Sequence, residues 1–229
     1  INLARKYGLE ELTDFDLFII KPLLRILKLF KIKSGFVNNF YKFLKIKDFK
    51  SILYLIIGEL REVKEKTIHT EAFLRGDMWN VIKSKILGKR YTWFVITPVD
   101  YDYCKTYFNI KMDKIEFSNT LKERIKFLKD NGEEIQLHVH FCLHKDFLDN
   151  DLQESKFHEA VGFINSLEIK PKKFAAGWWV FNRKTLDIAE KYGFEEIFDY
   201  TFNPFKKKIK LKGITLSYVH KYWHDFDFI

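Results

Sequence analysis

From Lys89 onward the chain alternates between two rhythms, and that alternation limits what it can fold into. Tyr91-Thr92-Trp93-Phe94-Val95-Ile96-Thr97 is a β-branched and aromatic run, the pattern of a strand buried on both faces. A helical stretch follows over 118–130 and closes at Asn131-Gly132. A second strand is expected over 134–141 and a second helix near 153–167. A shorter strand around 174–176 precedes a helix over 182–192 that stops at Gly193, and further strands are expected at 196–200 and 214–219. Strands separated by helices read as parallel βα units, in an open sheet or a barrel. Both architectures place function at the C-terminal ends of the strands.

The first ninety residues read differently. The segments 15–33, 50–65 and 71–87 carry apolar residues at three- and four-residue spacing and are expected to be helical. His69 stands alone there and reads as a surface or capping residue. The expected division is therefore a helical region over 1–88 and an α/β domain over 89–229.

Charge is uneven along the chain. Of the formal net charge of +9, nine basic and two acidic residues between Asp16 and Lys50 supply +7. The basic residues are 33 Lys against 7 Arg, whereas bidentate reading of bases and phosphates favours Arg. No specific nucleic-acid binding is expected. The segment 15–30 is interrupted by Lys21, Arg25 and Lys28, so it does not read as a membrane span or as a signal peptide. A peripheral contact of the basic helices with an anionic membrane is the residual expectation. Two cysteines, Cys104 and Cys142, are too few for a disulfide framework, and the expected location is the cytoplasm.

The predicted strand ends carry the chemistry. The first ends in Thr97-Pro98-Val99-Asp100-Tyr101-Asp102, and the second holds His138, His140, Cys142 and His144. The third runs into Gly177-Trp178-Trp179, and the last ends in His220-Lys221-Tyr222-Trp223-His224-Asp225. On a strand, His138 and His140 project to one face about 7 Å apart, near enough for both rings to reach one ion. Imidazole with carboxylate is a ligand set for a catalytic zinc with an open position. Hydrogen-bonded core histidines, or a structural His/Cys zinc using Cys142, are the competing readings. Asp100 and Asp102 suit metal-assisted hydrolysis, in which a free carboxylate takes a proton from water beside the ion. Alternatively they form a turn in which Asp bonds its own backbone.

These motifs resemble the polysaccharide deacetylase (NodB homology) family. The stretch Gly132-Glu133-Glu134-Ile135, then Gln136-Leu137-His138-Val139-His140, is similar to that family's second motif, and Thr97 to Asp102 to its first. The resemblance implies a distorted TIM-like (β/α) barrel that removes acetyl groups from an acetylated sugar with one divalent metal, zinc foremost. It implies Asp102, His138 and His140 as metal ligands, with His144 the alternate, Asp100 as base and His224 as the acid that protonates the leaving amine. Trp178 and Trp179 would stack on the sugar. Where the family carries an Arg that orients the base, this chain has Ala175. A domain that binds sugar or metal without chemistry is therefore an alternative. Another His-x-His metal hydrolase, of the amidohydrolase or phosphoesterase kind, is the second.

Overall fold

A computed structural model describes residues 39–40, 42–43, 46, 48–60, 66–89, 91–142, 150–201, 203–211, 213–219 and 222–225. The expected helix at 15–33, and the candidate site residues His144 and His220, lie outside them. The chain divides into two compact units, Ile1–Arg61 with Phe202–Pro204, and Glu62–Thr201 with Phe205–Ile229. In the first, helix α1 (Phe49–Leu60) is capped by Asp48, which accepts hydrogen bonds from the amide and the hydroxyl of Ser51 at 3.0 and 2.6 Å. Among the described residues, no helix is long and apolar enough to cross a membrane.

The second unit is an α/β fold built on one eight-stranded sheet. Its strands are β1 (Thr67–Thr70), β2 (Thr92–Val95), β3 (Glu134–Val139), β4 (Lys173–Ala176), β5 (Glu196–Tyr200), β6 (Ile209–Leu211), β7 (Ile214–Val219) and β8 (Trp223–His224). They lie in the order β6-β7-β5-β4-β3-β2-β1-β8. Every neighbouring pair is parallel except β6 with β7. The helices are α2 (Gly76–Val81), α3 (Tyr101–Phe108), α4 (Lys114–Asp130), α5 (Asn150–Ser166) and α6 (Arg183–Lys191).

Local chemistry accounts for these elements. Asp113 caps α4 by accepting from the amides of Ile115 and Glu116, and Phe117, Leu121, Ile125 and Leu128 form its buried stripe. Asn182 and Thr185 cap α6 reciprocally. After α4 the chain turns through Gly132, whose φ of 74° suits only glycine without strain. Strand β2 is buried on both faces, as its Thr-Trp-Phe-Val composition dictates.

The region before residue 89 departs from expectation. Thr67-Ile68-His69-Thr70 forms β1, the strand between β2 and β8, and 71–75 is a turn; the helix begins only at Gly76. Three of these four residues are β-branched, and the run is too short for helical periodicity to compete with sheet pairing.

The two sheet faces have different contents. Ile68, Trp93, Val95, Leu137, Val139 and Phe174 belong to the main apolar core, together with Phe117, Leu121 and Ile125 of α4. A separate small cluster holds Phe94, Ala175 and Phe198, with Trp179 packed against it. Phe94 stacks on His69, and Ala175 stands opposite His138 in the β3–β4 register. Alternation thus puts the main apolar core on one face and the histidines, beside this small apolar cluster, on the other.

Candidate metal centre

Four parallel strands deliver polar side chains to one place. Period-two alternation sets His69 and Glu71 on one side of the β1 segment and His138 and His140 on one side of β3. Glu71 Oε1 lies 3.3 Å from His138 Nε2 and 3.5 Å from His140 Nε2. The ligand atoms of these three buried residues all fall within 4.8 Å of one another. Glu71 Oε2 faces the other way, accepting from the Tyr103 hydroxyl at 3.3 Å, with His224 Nδ1 at 3.5 Å.

The remaining ring nitrogens are also committed. His138 Nδ1 donates to the carbonyl of Ala175 at 2.9 Å, and His140 Nδ1 lies 3.2 Å from Asp100 Oδ1. An Nδ1–H held by an acceptor fixes the tautomer and leaves the Nε2 lone pair for a metal. Both Nε2 atoms lie near the same carboxylate oxygen. Spacings of 3.3 and 3.5 Å match two edges of a tetrahedron whose arms are about 2.1 Å, the length of metal bonds to nitrogen and oxygen. The donor set therefore suits a divalent metal ion.

The charges agree with this geometry. Burial alone would raise the Glu71 carboxyl, but hydrogen bonds from His138 and His140 outweigh it and hold the group well below its ordinary value. Burial opposes a charge on His140, yet its bonds to Asp100 and Glu71 raise its pKa. His69 is pushed well below the usual histidine range by burial, then by the neighbouring His138 and His224, and is neutral. Three carboxylates, Glu71, Asp100 and Asp225, are 6%, 1% and 0% exposed. No Lys or Arg among the described residues is buried with them.

Residues singled out from sequence fall into distinct places. Asp102 is exposed on the first turn of α3 and is not part of the group; the carboxylate beside His138 and His140 is Glu71. The reason is backbone: the chain turns into helix at Pro98, so Asp100 faces inward and Asp102, two residues on, faces out. Asp100 is buried with both oxygens engaged. Oδ1 accepts the His140 amide at 2.7 Å, and Oδ2 accepts the amide and the hydroxyl of Thr97 at 2.9 and 3.3 Å. Oδ1 thus serves both the amide and the ring of His140. Ala175 is fully buried in the Phe94–Phe198 cluster, where an Arg would bury its charge among apolar rings.

Trp178 and Trp179 stand on opposite sides of the histidines. Trp178 meets Tyr103 and Tyr107 edge-on at 5.6 and 5.4 Å, while Trp179 lies 4.9 Å from His69 and 4.9 Å from Tyr222. Tyr103 in turn stacks on His140 with ring centroids 3.5 Å apart. Sequence reasoning missed Glu71, His69, Tyr103 and Asp225. The signal for the first two was the alternation in Thr67-Ile68-His69-Thr70-Glu71, two residues apart like His138 and His140.

No protein-family profile matches the sequence, and no curated protein is similar enough to match. Solved structures do match in part. One from Mycobacterium smegmatis, described as a polysaccharide deacetylase, is 14% identical over 67% of this chain, with a TM-score of 0.44. This chain covers only 56% of that one. A de-N-acetylase from Aggregatibacter actinomycetemcomitans is 15% identical, with 76% of this chain and 74% of that one covered and a TM-score of 0.41. A 4-alpha-glucanotransferase from Thermococcus litoralis is 10% identical over 66% of this chain and 27% of its own, at a TM-score of 0.45. Likeness at this level does not distinguish one activity from another.

Proposed function

We propose that the chain is a zinc-dependent hydrolase that removes acetyl groups from an acetylated sugar. The observation that carries this reading is the buried Glu71–His138–His140 group, set among further buried carboxylates with no Lys or Arg buried beside them among the described residues. An excess of buried carboxylates is kept when a cation offsets it. Two imidazoles and a carboxylate form the ligand set of a catalytic zinc with an open position. The acetyl-sugar substrate rests on the motif resemblance around Gln136 to His140 and on the aromatic rings at the site.

In this reading Glu71, His138 and His140 hold the ion, which when bound would polarise an acyl carbonyl and acidify a water. Asp100 and the Ala175 carbonyl hold the two imidazoles in the ligating tautomer. His224 is the partly exposed imidazole of the site. It takes the proton from the attacking water and returns it to the leaving amine. Trp178 and Trp179 offer apolar faces to a sugar ring.

The test is zinc content beside a screen of acetylated sugars, with His138→Ala as the control. About one ion per chain is expected, with acetate released, and both should vanish in the variant. A protein that takes up no zinc sinks the reading.

Zinc binding should also depend on pH with a definite sign. His140 has a raised pKa, so its contribution to metal-free stability is complete below the ordinary value of 6.5 and is lost as pH rises through the raised value. Glu71 has a lowered pKa, so its contribution is present above 4.5 and is lost as pH falls through the lowered value. The contributions of these two groups to metal-free stability are therefore both present between these limits. Zinc must displace the His140 proton, so its affinity rises with pH, by about tenfold or more between pH 6 and pH 8. Competition with a chelator at the two pH values measures this; a flat or falling profile would contradict the assignment of His140 as a ligand.

A further inference from the structure

The buried carboxylate of Asp225 has no part in the proposed chemistry, yet it joins the two segments that carry it. Its Oδ2 accepts the amide of Ala72 at 2.8 Å, across 153 residues of sequence. Ala72 follows Glu71, and Asp225 follows His224. Between these segments the sheet supplies little. Strand β8 has two residues, paired to β1 through Ile68↔Trp223 and His69↔His224. Strand β1 stops at Thr70, so Glu71 stands on a turn beyond the last ladder pair, Thr70↔Val95. The link to Asp225 meets that turn one residue past the carboxylate that faces His138 and His140, where Cys104 Sγ also donates to the Glu71 carbonyl at 3.7 Å.

We propose that Asp225 is a positioning residue, which sets Glu71 against its histidines and brings His224 alongside by holding the Ala72 amide. The inference rests on the reading of Glu71 as a metal ligand. Its basis is the bond itself and the cost of the group: Asp225 is 0% exposed, and an ionised carboxylate is kept in such a place only with strong partners. A backbone N–H given to a carboxylate is a directional anchor that apolar packing at this turn would not supply.

The experiment uses the full chain with Asp225→Ala and Asp225→Asn, zinc as the probe, and amide hydrogen exchange read by NMR. The asparagine keeps an oxygen that can accept the same amide; the alanine does not. Asp225→Ala is expected to weaken zinc binding by about 10–100-fold, the usual cost of losing a partner one shell out from a metal. Exchange of the Ala72 amide should quicken while those of Phe94 and Leu137, deep in β2 and β3, stay protected. Asp225→Asn should restore both properties to near the wild type. The proposal falls if Asp225→Ala leaves zinc affinity or Ala72 exchange unchanged. It falls equally if Asp225→Asn is as damaging as Asp225→Ala, since charge and not the bond would then matter. A wild-type chain that takes up no zinc overturns the metal centre instead, and Ala72 exchange then decides the fate of the anchor alone.

Discussion

Glu71→Gln is expected to strip the protein of its metal, whereas Asp102→Asn is expected to leave it loaded. Protein zinc sites bind with a total of about 10–16 kcal/mol, so removing one of three protein donors costs about 3 kcal/mol or more, over a hundredfold in affinity. Glutamine keeps the volume and can still accept from Tyr103, so the fold should survive. Loss of the carboxylate that faces both His138 Nε2 and His140 Nε2 is then the one large change. Acetyl hydrolysis should fall with the metal. Asp102 is exposed on α3, and its replacement should change neither. Zinc content of the two purified variants decides the matter, and the reverse outcome would return the ligand role to Asp102.

Gly177→Ala should be nearly as damaging, although the change adds one methyl group. A β-carbon at this position would fall on the His140 ring, 2.7 Å from Nε2 and nearer still to the ring carbons. The ring cannot step aside. Its Nδ1 is held by Asp100, its amide is held by the same oxygen, and Tyr103 lies flat against it. Overpacking of this kind costs about 1–3 kcal/mol in stability. Relief requires His140 to leave its rotamer and with it the ligand group. The expected result is a folded protein with a lower melting temperature and little zinc, measured by calorimetry and metal analysis. Full zinc occupancy in Gly177→Ala would show that His140 is not fixed by this packing.

Much of the fold was legible because strand and helix differ in hydrophobic period. The runs at Thr92–Val95, Glu134–Val139 and Glu196–Tyr200 emerged as strands, and the helices expected between them emerged too, although α4 starts at its Asp113 cap instead of near 118 and α3 was not foreseen. His138 and His140 were legible for the same reason: alternation alone puts them on one face. Glu71 was not, because its signal lies in four residues of β1 embedded among helical segments. A strand that short is fixed by its neighbours β2 and β8, which a local reading does not see. Asp102 misled for a related reason. Two-residue spacing means one face on a strand and nearly opposite faces on a helix, and the chain changes from one to the other between Thr97 and Tyr101. Tyr103 and Asp225 enter through contacts across 32 and 153 residues, and no local pattern records such distances.

Trp178 and Trp179 sit side by side with φ of 57° and 58°, a conformation that favours glycine. Each costs about 1–2 kcal/mol relative to a relaxed backbone. A lineage selected only for heat resistance would gain by replacing either tryptophan with glycine or asparagine, and would lose one wall of the site in doing so. That both bulky residues stand in this bend sets persistence of the fold and retention of the site at odds. Thermal hardening of this protein should therefore be sought elsewhere in the chain, with these two positions left alone.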